Sequence, residues 1–397
     1  MTATTRGPAL LGIRADLLSH GLGLRRAWPR SPEHLLLHAA AGHGEPPGWT
    51  AGQWFADEGR AADVARRCAR AQHLPGTGVV LQPAGADHRL PGLPTLLQWP
   101  GARLVAHRPG RRAVVRLDRP GTDPHWAKVV RPGRAAGLAR TASWRPAGVT
   151  VPEVLDVDEA TGIVVTADLP GTTLRALASA DDRVAAWRAT GAMLARVHAA
   201  PAPEGAPVHA LDDEVAVSVR WLRLARSLGA LPPWAVARLE GVVVEHAAAA
   251  GAPAVPVTLH RDLHDGQVLV RGTRECDMGV GVLDLDLVAR GDAAVDLGNV
   301  LAHLVLRALQ GDTAAAGETA WAFLEGYRGA GGALPADRSL TAHVGLAAAR
   351  LAAVYGFRPA AAGGPGDDPD AGGARVVAGL VALALDPRPA VLAAARA

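Results

Sequence analysis

The chain has 397 residues, enough for two or three domains and a sizeable core. Hydrophobic residues make up 49% and charged residues 20%, a globular balance that excludes disorder as the main state. A net charge of only +3, with no long basic stripe, argues against a nucleic-acid partner.

The two cysteines, Cys68 and Cys276, stand in no metal-ligand spacing, which excludes a disulfide framework and a cysteine-based zinc site. The N-terminal segment meets Asp16 before any long apolar run, so no signal peptide is expected. No stretch approaches the roughly 20 apolar residues that span a bilayer. The expectation is a soluble, cytoplasmic protein that engages neither membrane nor nucleic acid. Lysine and arginine together number 41, and Lys128 is the one lysine. Asparagine occurs once, as Asn299, and isoleucine twice. These scarce residues have AT-rich codons, and under such a bias lysine gives way to arginine wherever a guanidinium will do. A surviving lysine therefore marks a place that needs a compact ammonium.

Residues 1–97 mix short extended runs (34–41, 53–56 and 78–82) with one Arg- and Ala-rich helix over 58–72. They form a separate N-terminal segment, a cap on the neighbouring sheet or an element for homodimerisation. Next come three strands, 104–107, 113–117 and 126–130, joined by turns at Pro109-Gly110 and at 119–123, which makes an antiparallel meander. Lys128 sits in the middle of the third strand, on the face opposite Ala127 and Val129. A helix is expected over 134–144 and a hairpin over 154–167, and Leu169-Pro-Gly171 breaks the chain. This gives a second unit over 98–170. From 171 to 397 the chain reads as mainly helical, with helices over 172–178, 182–200, 212–228, 234–250, 294–310, 314–327 and 339–355 and from 375 to the end. A Gly/Pro/Asp linker is expected over 361–373.

Inside that helical part, 255–288 switches to short apolar runs around polar clusters. The segment His260-Arg-Asp262-Leu-His264-Asp-Gly-Gln267 precedes an apolar run, and Val280-Gly-Val-Leu-Asp284-Leu-Asp286 comes after a turn. Pairing 267–270 with 280–283 brings Asp262, Gln267 and Asp284 to one rim. One carboxylate can orient and deprotonate a hydroxyl, and a carboxylate with a side-chain carbonyl can hold Mg²⁺. A lysine on a sheet can grip a nucleotide phosphate as a point charge. These are the parts that phosphoryl transfer requires.

The two-part motif resembles the aminoglycoside phosphotransferase and protein-kinase-like superfamily, which includes choline kinases and maltokinases. Its catalytic loop reads roughly H-G-D-x-H-x-x-N, and its metal loop I-D-[WF]-[DE] followed by G-D-P-x-x-D-L-A. Here these correspond to 260–267, to Leu283-Asp284-Leu-Asp286 and to Gly291-Asp-Ala-Ala-Val-Asp296-Leu-Gly298. The resemblance covers about residues 100–360. It implies a bilobal α+β kinase-like fold with a small antiparallel-sheet N-lobe, a helical C-lobe and the extra N-terminal segment. It further implies ATP and Mg²⁺ as cofactors, Asp262 as the catalytic residue, and Asp284 and Gln267 as metal ligands. Lys128 would bind the α/β-phosphates and Gly110 would approach the nucleotide. Asp286 is either a second metal ligand or a loop cap. His260 and His264 would position Asp262, and Asp296 would brace the loop.

Two features depart from the pattern. Gln267 replaces the usual Asn, as in maltokinase-like members, and no acid lies between Arg131 and Val151 to pair with Lys128 from the small-lobe helix. The expected activity is ATP- and Mg²⁺-dependent phosphorylation of a hydroxyl on a small molecule: an aminoglycoside, a sugar or an amino sugar. For a polycationic acceptor, Asp212, Asp213, Glu214, Glu318 and Glu325 are the candidate acids. The alternative is a nucleotide-binding pseudokinase acting as a regulatory or scaffold module.

Overall fold

Among the described residues, alternation of buried and outward residues sets the strands of two five-stranded sheets, two three-stranded sheets complete the β structure, and amphipathic runs set the helices packed around them. The computed structural model describes residues 9–41, 49–118, 120–251, 255–272, 278–312, 316–358 and 369–391. Cys276 and most of the turn expected between 271 and 279 lie outside these residues, as does the expected linker up to 368.

The N-terminal segment carries a sheet of its own. It begins with helix α1 (Ala9–Ser19) and carries strands β1 (Leu22–Ser31), β2 (His34–Ala41) and β3 (Trp49–Phe55). Helix α2 (Glu58–Arg67), strands β4 (Gln72–His73) and β5 (Val79–Gln82) and the short helix α3 (Gly92–Leu96) come next. The five strands form one antiparallel sheet in the order β1-β2-β3-β5-β4. Helix α1 and strand β1 are additions to the sequence expectation. Strand β1 reads LGLRRAWPRS, whose arginines and proline mask its alternation. Leu10, Ile13 and Leu17 of α1 share one apolar core with the C-terminal helices. The Ala27 amide donates to the Phe357 carbonyl at 3.1 Å, and His38 Nε2 lies 2.7 Å from the His107 carbonyl. The module is thereby tied to both of the other units.

The second unit is a five-stranded antiparallel sheet of β6 (Ala102–Arg108), β7 (Arg112–Leu117), β8 (His125–Val130), β9 (Val154–Asp158) and β10 (Ile163–Ala167) in the order β6-β7-β8-β10-β9. The expected meander, hairpin and helix are all present, the last as α4 (Ala135–Ala142). One face buries Ala113, Val115, Ala127 and Val129 against Leu90, Leu93 and Leu96. Those leucines precede the expected boundary at 97/98, so the small lobe's core draws on the end of the N-terminal segment. The other face of β8 turns Lys128 to the cleft, between Val114 on β7 and Val164 on β10.

The third unit contains strands β11 (Thr172–Thr173) and β12 (Val208–His209), helices α5 (Ala180–Ala199), α6 (Leu211–Leu228) and α7 (Pro233–Ala250), and strands β13 (Val257–Leu259), β14 (Val268–Arg271), β15 (Gly279–Val282) and β16 (Ala289–Gly291). Helices α8 (Ala293–Leu309), α9 (Ala316–Gly329), α10 (Asp337–Gly356) and α11 (Pro369–Leu385) complete it. Ser179 caps α5, and Asp292 caps α8 by accepting from the Ala294 amide at 2.8 Å. Gly191 on α5 and Gly326 on α9 let these helices meet backbone to backbone, because a Cβ at either would strike a carbonyl of the other helix. Two local expectations are corrected. Residues 172–178 are a short strand and a single 3₁₀ turn, because the β-branched pair Thr172-Thr173 hydrogen-bonds the edge of β14. Helix α11 starts at Pro369, a residue type suited to a first helical turn, so 369–373 are helix and not linker. The bilobal α+β architecture implied by the resemblance is present. No helix among the described residues is long and apolar enough to cross a membrane.

Candidate active site

The loop after β13 is held by one buried carboxylate. Asp296, in the first turn of α8 and wholly buried, accepts the His260 amide at 2.7 Å and the Arg261 amide at 2.6 Å. It also lies 3.1 Å from His198 Nε2, and His198 Nδ1 is 2.8 Å from the Tyr327 hydroxyl. This clamp holds Arg261 at φ +72°, a left-handed conformation that disfavours side chains. The resembling pattern has Gly there, and the backbone supplies the reason. His260 Nε2 lies 2.9 Å from the Leu283 carbonyl and its Nδ1 accepts the Asp262 amide at 3.3 Å, which one neutral tautomer satisfies. Asn299, the one asparagine, donates to the Leu263 carbonyl at 3.0 Å. The bracing role expected of Asp296 and His260 thus has a geometric basis. Asp296→Ala should cost about 3–5 kcal/mol, because two amides and an imidazole lose their acceptor where water cannot replace it. Chemical denaturation followed by circular dichroism measures this; a loss under about 1 kcal/mol would contradict the clamp.

The hairpin pairs as its apolar pattern demands, with Val268 opposite Val282 and Leu269 opposite Gly281. It delivers Gln267 and Asp284 side by side, Gln267 Nε2 being 3.4 Å from Asp284 Oδ2. Lys128 Nζ donates to Asp284 Oδ1 at 2.8 Å and to Asp286 Oδ1 at 2.6 Å. The acid missing from α4 is therefore supplied by the loop after β15. Arg112 on β7 adds a 3.4 Å contact to Asp286 Oδ2 and stands 4.0 Å from Asp284 Oδ2. Burial would raise both carboxyls. Lys128 and Arg112 override it at Asp284 and hold that carboxyl well below the usual range, whereas at Asp286 burial and the Asp284 charge outweigh Lys128 and push it up.

These side chains stand where two cavities meet. One, of about 570 Å³, is a mostly apolar slot between the sheet and β14, lined by Val114, Val164, Ala167, Leu169, Leu269 and Leu283. Lys128, Asp284 and Asp286 line it as well. The other, of about 870 Å³, opens between α4 and the β6–β7 turn and is lined by Arg108, Arg111, Arg112, Arg131, Arg134 and Arg140. Asp262, Asp284 and Asp286 face it from the opposite wall. An apolar slot suits a planar base, and a basic cavity suits phosphates.

Gly110 forms the β6–β7 turn at φ +65°. Its amide donates to the buried Asp87 carboxylate at 2.6 Å and its carbonyl accepts from Arg131 at 2.6 Å. The turn thus presents guanidiniums to the cavity, while the Gly110 amide itself is committed to Asp87. Among the described residues, no three His, Cys, Asp or Glu side chains gather into a closed metal cage. Two acids beside one side-chain amide are nonetheless a fitting set for Mg²⁺, which is commonly held by one or two carboxylates together with substrate phosphates.

Sequence reasoning missed Arg108, Arg112 and the buried pair of Asp87 and His107 that anchors the turn. A single arginine among 40 carries no signal in so arginine-rich a chain. The acids considered for a cationic acceptor are engaged elsewhere or point to solvent. Glu214 is buried 2.8 Å from His209 Nε2, Asp213 accepts the Ala210 amide, Glu325 pairs with Arg188, and Asp212 and Glu318 are exposed.

The sequence pattern of the phosphotransferase enzyme family matches residues 102–332. Among solved structures, an aminoglycoside-3'-phosphotransferase of type VIII is 24% identical, with a TM-score of 0.50, over 66% of this chain and 99% of that one. A choline/ethanolamine kinase family protein from Mesorhizobium loti is 20% identical, with a TM-score of 0.51, over 78% of this chain and 97% of that one. The amicoumacin kinase hAmiN, in complex with AMP-PNP, Ca²⁺ and Ami, is 14% identical, with a TM-score of 0.50, over 71% and 88%. These likenesses show the shared kinase-like fold. No curated protein matches the chain.

Proposed function

The chain belongs to the phosphotransferase enzyme family, and on that premise we propose that it transfers the γ-phosphoryl group of ATP, with Mg²⁺, to a hydroxyl of a small molecule. The observation that carries this reading is the convergence of Lys128, Asp284 and Asp286 where the apolar slot meets the basic cavity that Asp262 faces. The slot takes the nucleotide base, and Lys128 and Arg112, paired with Asp284 and Asp286, would be shared between those carboxylates and the nucleotide phosphates. Asp284, Gln267 and Asp286 would hold Mg²⁺, which when bound neutralises charge on the β- and γ-phosphates. Asp262 orients the acceptor hydroxyl and takes its proton as the new oxygen–phosphorus bond forms. The bond from γ-phosphorus to the bridging oxygen breaks, and ADP leaves with that oxygen's electron pair.

ADP release upon adding acceptors from a broad panel, with and without Mg²⁺, tests the reading. Mg²⁺-dependent release that requires an acceptor supports it. Nucleotide binding without transfer to any acceptor would favour a binding module instead.

Lys128→Arg offers a sharper local test. Its ammonium fits between two carboxylates at 2.6–2.8 Å, where a planar fork is too broad. Calorimetry should show ATP binding weakened by about tenfold or more, the worth of a charge-assisted hydrogen bond, with the circular dichroism spectrum unchanged. Equal affinity would remove Lys128 from the phosphate site.

A further inference from the structure

The chemical class of the acceptor can be inferred as well, resting on the phosphotransferase reading above. Around Trp28 and the adjoining Ala27–Phe357 contact, the N-terminal segment, the small lobe and the helical lobe each contribute a guanidinium. Arg26 comes from β1, Arg108 from the end of β6 and Arg358 from just beyond α10. Arg26 and Arg108 both sit on the Trp28 ring, their Cζ atoms 4.6 and 5.0 Å from its centroid. Trp28 is held edge-on against His38, which stacks on Trp49 at 4.3 Å. Arg358 lies over the Tyr355 ring at 4.0 Å, and the Ala27–Phe357 backbone hydrogen bond joins the strand bearing Arg26 to the segment bearing Arg358.

None of the three arginines forms an ion pair with a carboxylate among the described residues. Arg358 Nε and Trp28 Nε1 are moreover buried and make no hydrogen bond, two donors with nothing to donate to. Buried donors without acceptors are costly and point to an acceptor that arrives with a ligand. Burial, followed by the other guanidiniums nearby, lowers Arg26 to about 9 and Arg108 to about 10, and burial also lowers Arg358. Asp262 and Arg108 line the same basic cavity, which sets the carboxylate at one end of the cluster. A desolvated group of like charges with open donors is stabilised by an anion and repels a cation.

We propose that the phosphate acceptor is an anion: a small hydroxy compound whose carboxylate or phosphate group is held by Arg26, Arg108 and Arg358, with its hydroxyl presented to Asp262. The N-terminal module, which lies outside the family match, then supplies part of the acceptor site. The same charge disfavours polycationic acceptors, consistent with the engagement of the C-lobe acids elsewhere.

The test uses the full chain with its nucleotide site filled by saturating AMP-PNP and Mg²⁺. Calorimetry then compares inorganic phosphate, glucose 6-phosphate and glucuronate with glucose and glucosamine, which offer a similar ring without charge or with opposite charge. The anions should bind, the two sugars at least about tenfold more weakly, and the ranking of glucose 6-phosphate against glucuronate separates phosphate from carboxylate. Arg26→Gln and Arg358→Gln should each weaken anion binding by about 10- to 100-fold, while leaving AMP-PNP affinity within about twofold. Arg26→Lys should recover part of the loss, and thermal midpoints identify any variant that misfolds. The inference is overturned if no anion binds alongside the nucleotide, if both glutamine variants bind anions as wild type does, or if they lose AMP-PNP instead. Failure of the phosphotransferase reading itself would be seen separately, as bound anion and bound ATP without ADP release.

Discussion

Asp262→Asn should bind Mg-ATP as wild type does and transfer phosphate about 10²- to 10⁴-fold more slowly, the usual contribution of a positioned general base. The amide keeps the shape of the carboxylate and loses its charge and basicity. The loop should survive the change, because its conformation depends on other groups. Asp296 holds the amides at 260 and 261, His260 reaches the Leu283 carbonyl, and Asn299 reaches the Leu263 carbonyl. Asp262 is not among the residues lining the apolar slot, so binding of the base has no reason to follow it, and removing a negative charge from the wall of the basic cavity does not oppose the phosphates. Steady-state transfer with nucleotide calorimetry in parallel separates the two effects. A variant that transfers at the wild-type rate would remove Asp262 from catalysis.

Asp284→Ala should abolish the Mg²⁺-dependent part of nucleotide binding, a loss of about 100-fold or more in affinity. Three features converge on this residue. Its carboxyl is held ionised against burial by Lys128 and Arg112, Gln267 lies against it, and it stands where the slot meets the basic cavity. Removing it leaves Lys128 with Asp286 alone, at 2.6 Å, and takes away the acid best placed to share a cation with the phosphates. Binding measured in Mg²⁺ and in EDTA checks this directly. If the two curves for Asp284→Ala differ as much as those of wild type, the metal assignment is wrong.

The sequence was most legible where chemistry and periodicity agree. The hairpin of β14 and β15 could be read because apolar runs on either side of a turn have one good pairing, and that pairing fixed the placement of Gln267 and Asp284. Lys128 stood out because it is one lysine against 40 arginines. Its partners were legible only in three dimensions, since Asp284 and Asp286 lie more than 150 positions away along the chain. Strand β1 was masked by its own composition, because Arg25, Arg26, Pro29 and Arg30 interrupt the alternation that marks a strand. Arg26, Arg108 and Arg358 were hidden by composition, and only their partial burial and the absence of acid partners among the described residues distinguish them from solvated surface arginines. The Gly110 amide could not be assigned from the turn alone, because its partner Asp87 belongs to a segment whose packing onto the small lobe has no signature in the motif.

The central claim is that this cleft moves the terminal phosphoryl group of ATP onto an acceptor hydroxyl. Phosphorus NMR of the wild-type protein with Mg-ATP and an anionic hydroxy acceptor tests it most directly. The γ-phosphorus resonance should decay as that of a new phosphomonoester grows in equal amount, with ADP appearing in step and both changes absent in EDTA. Decay of ATP to ADP and inorganic phosphate alone, at a rate indifferent to every acceptor offered, would contradict it.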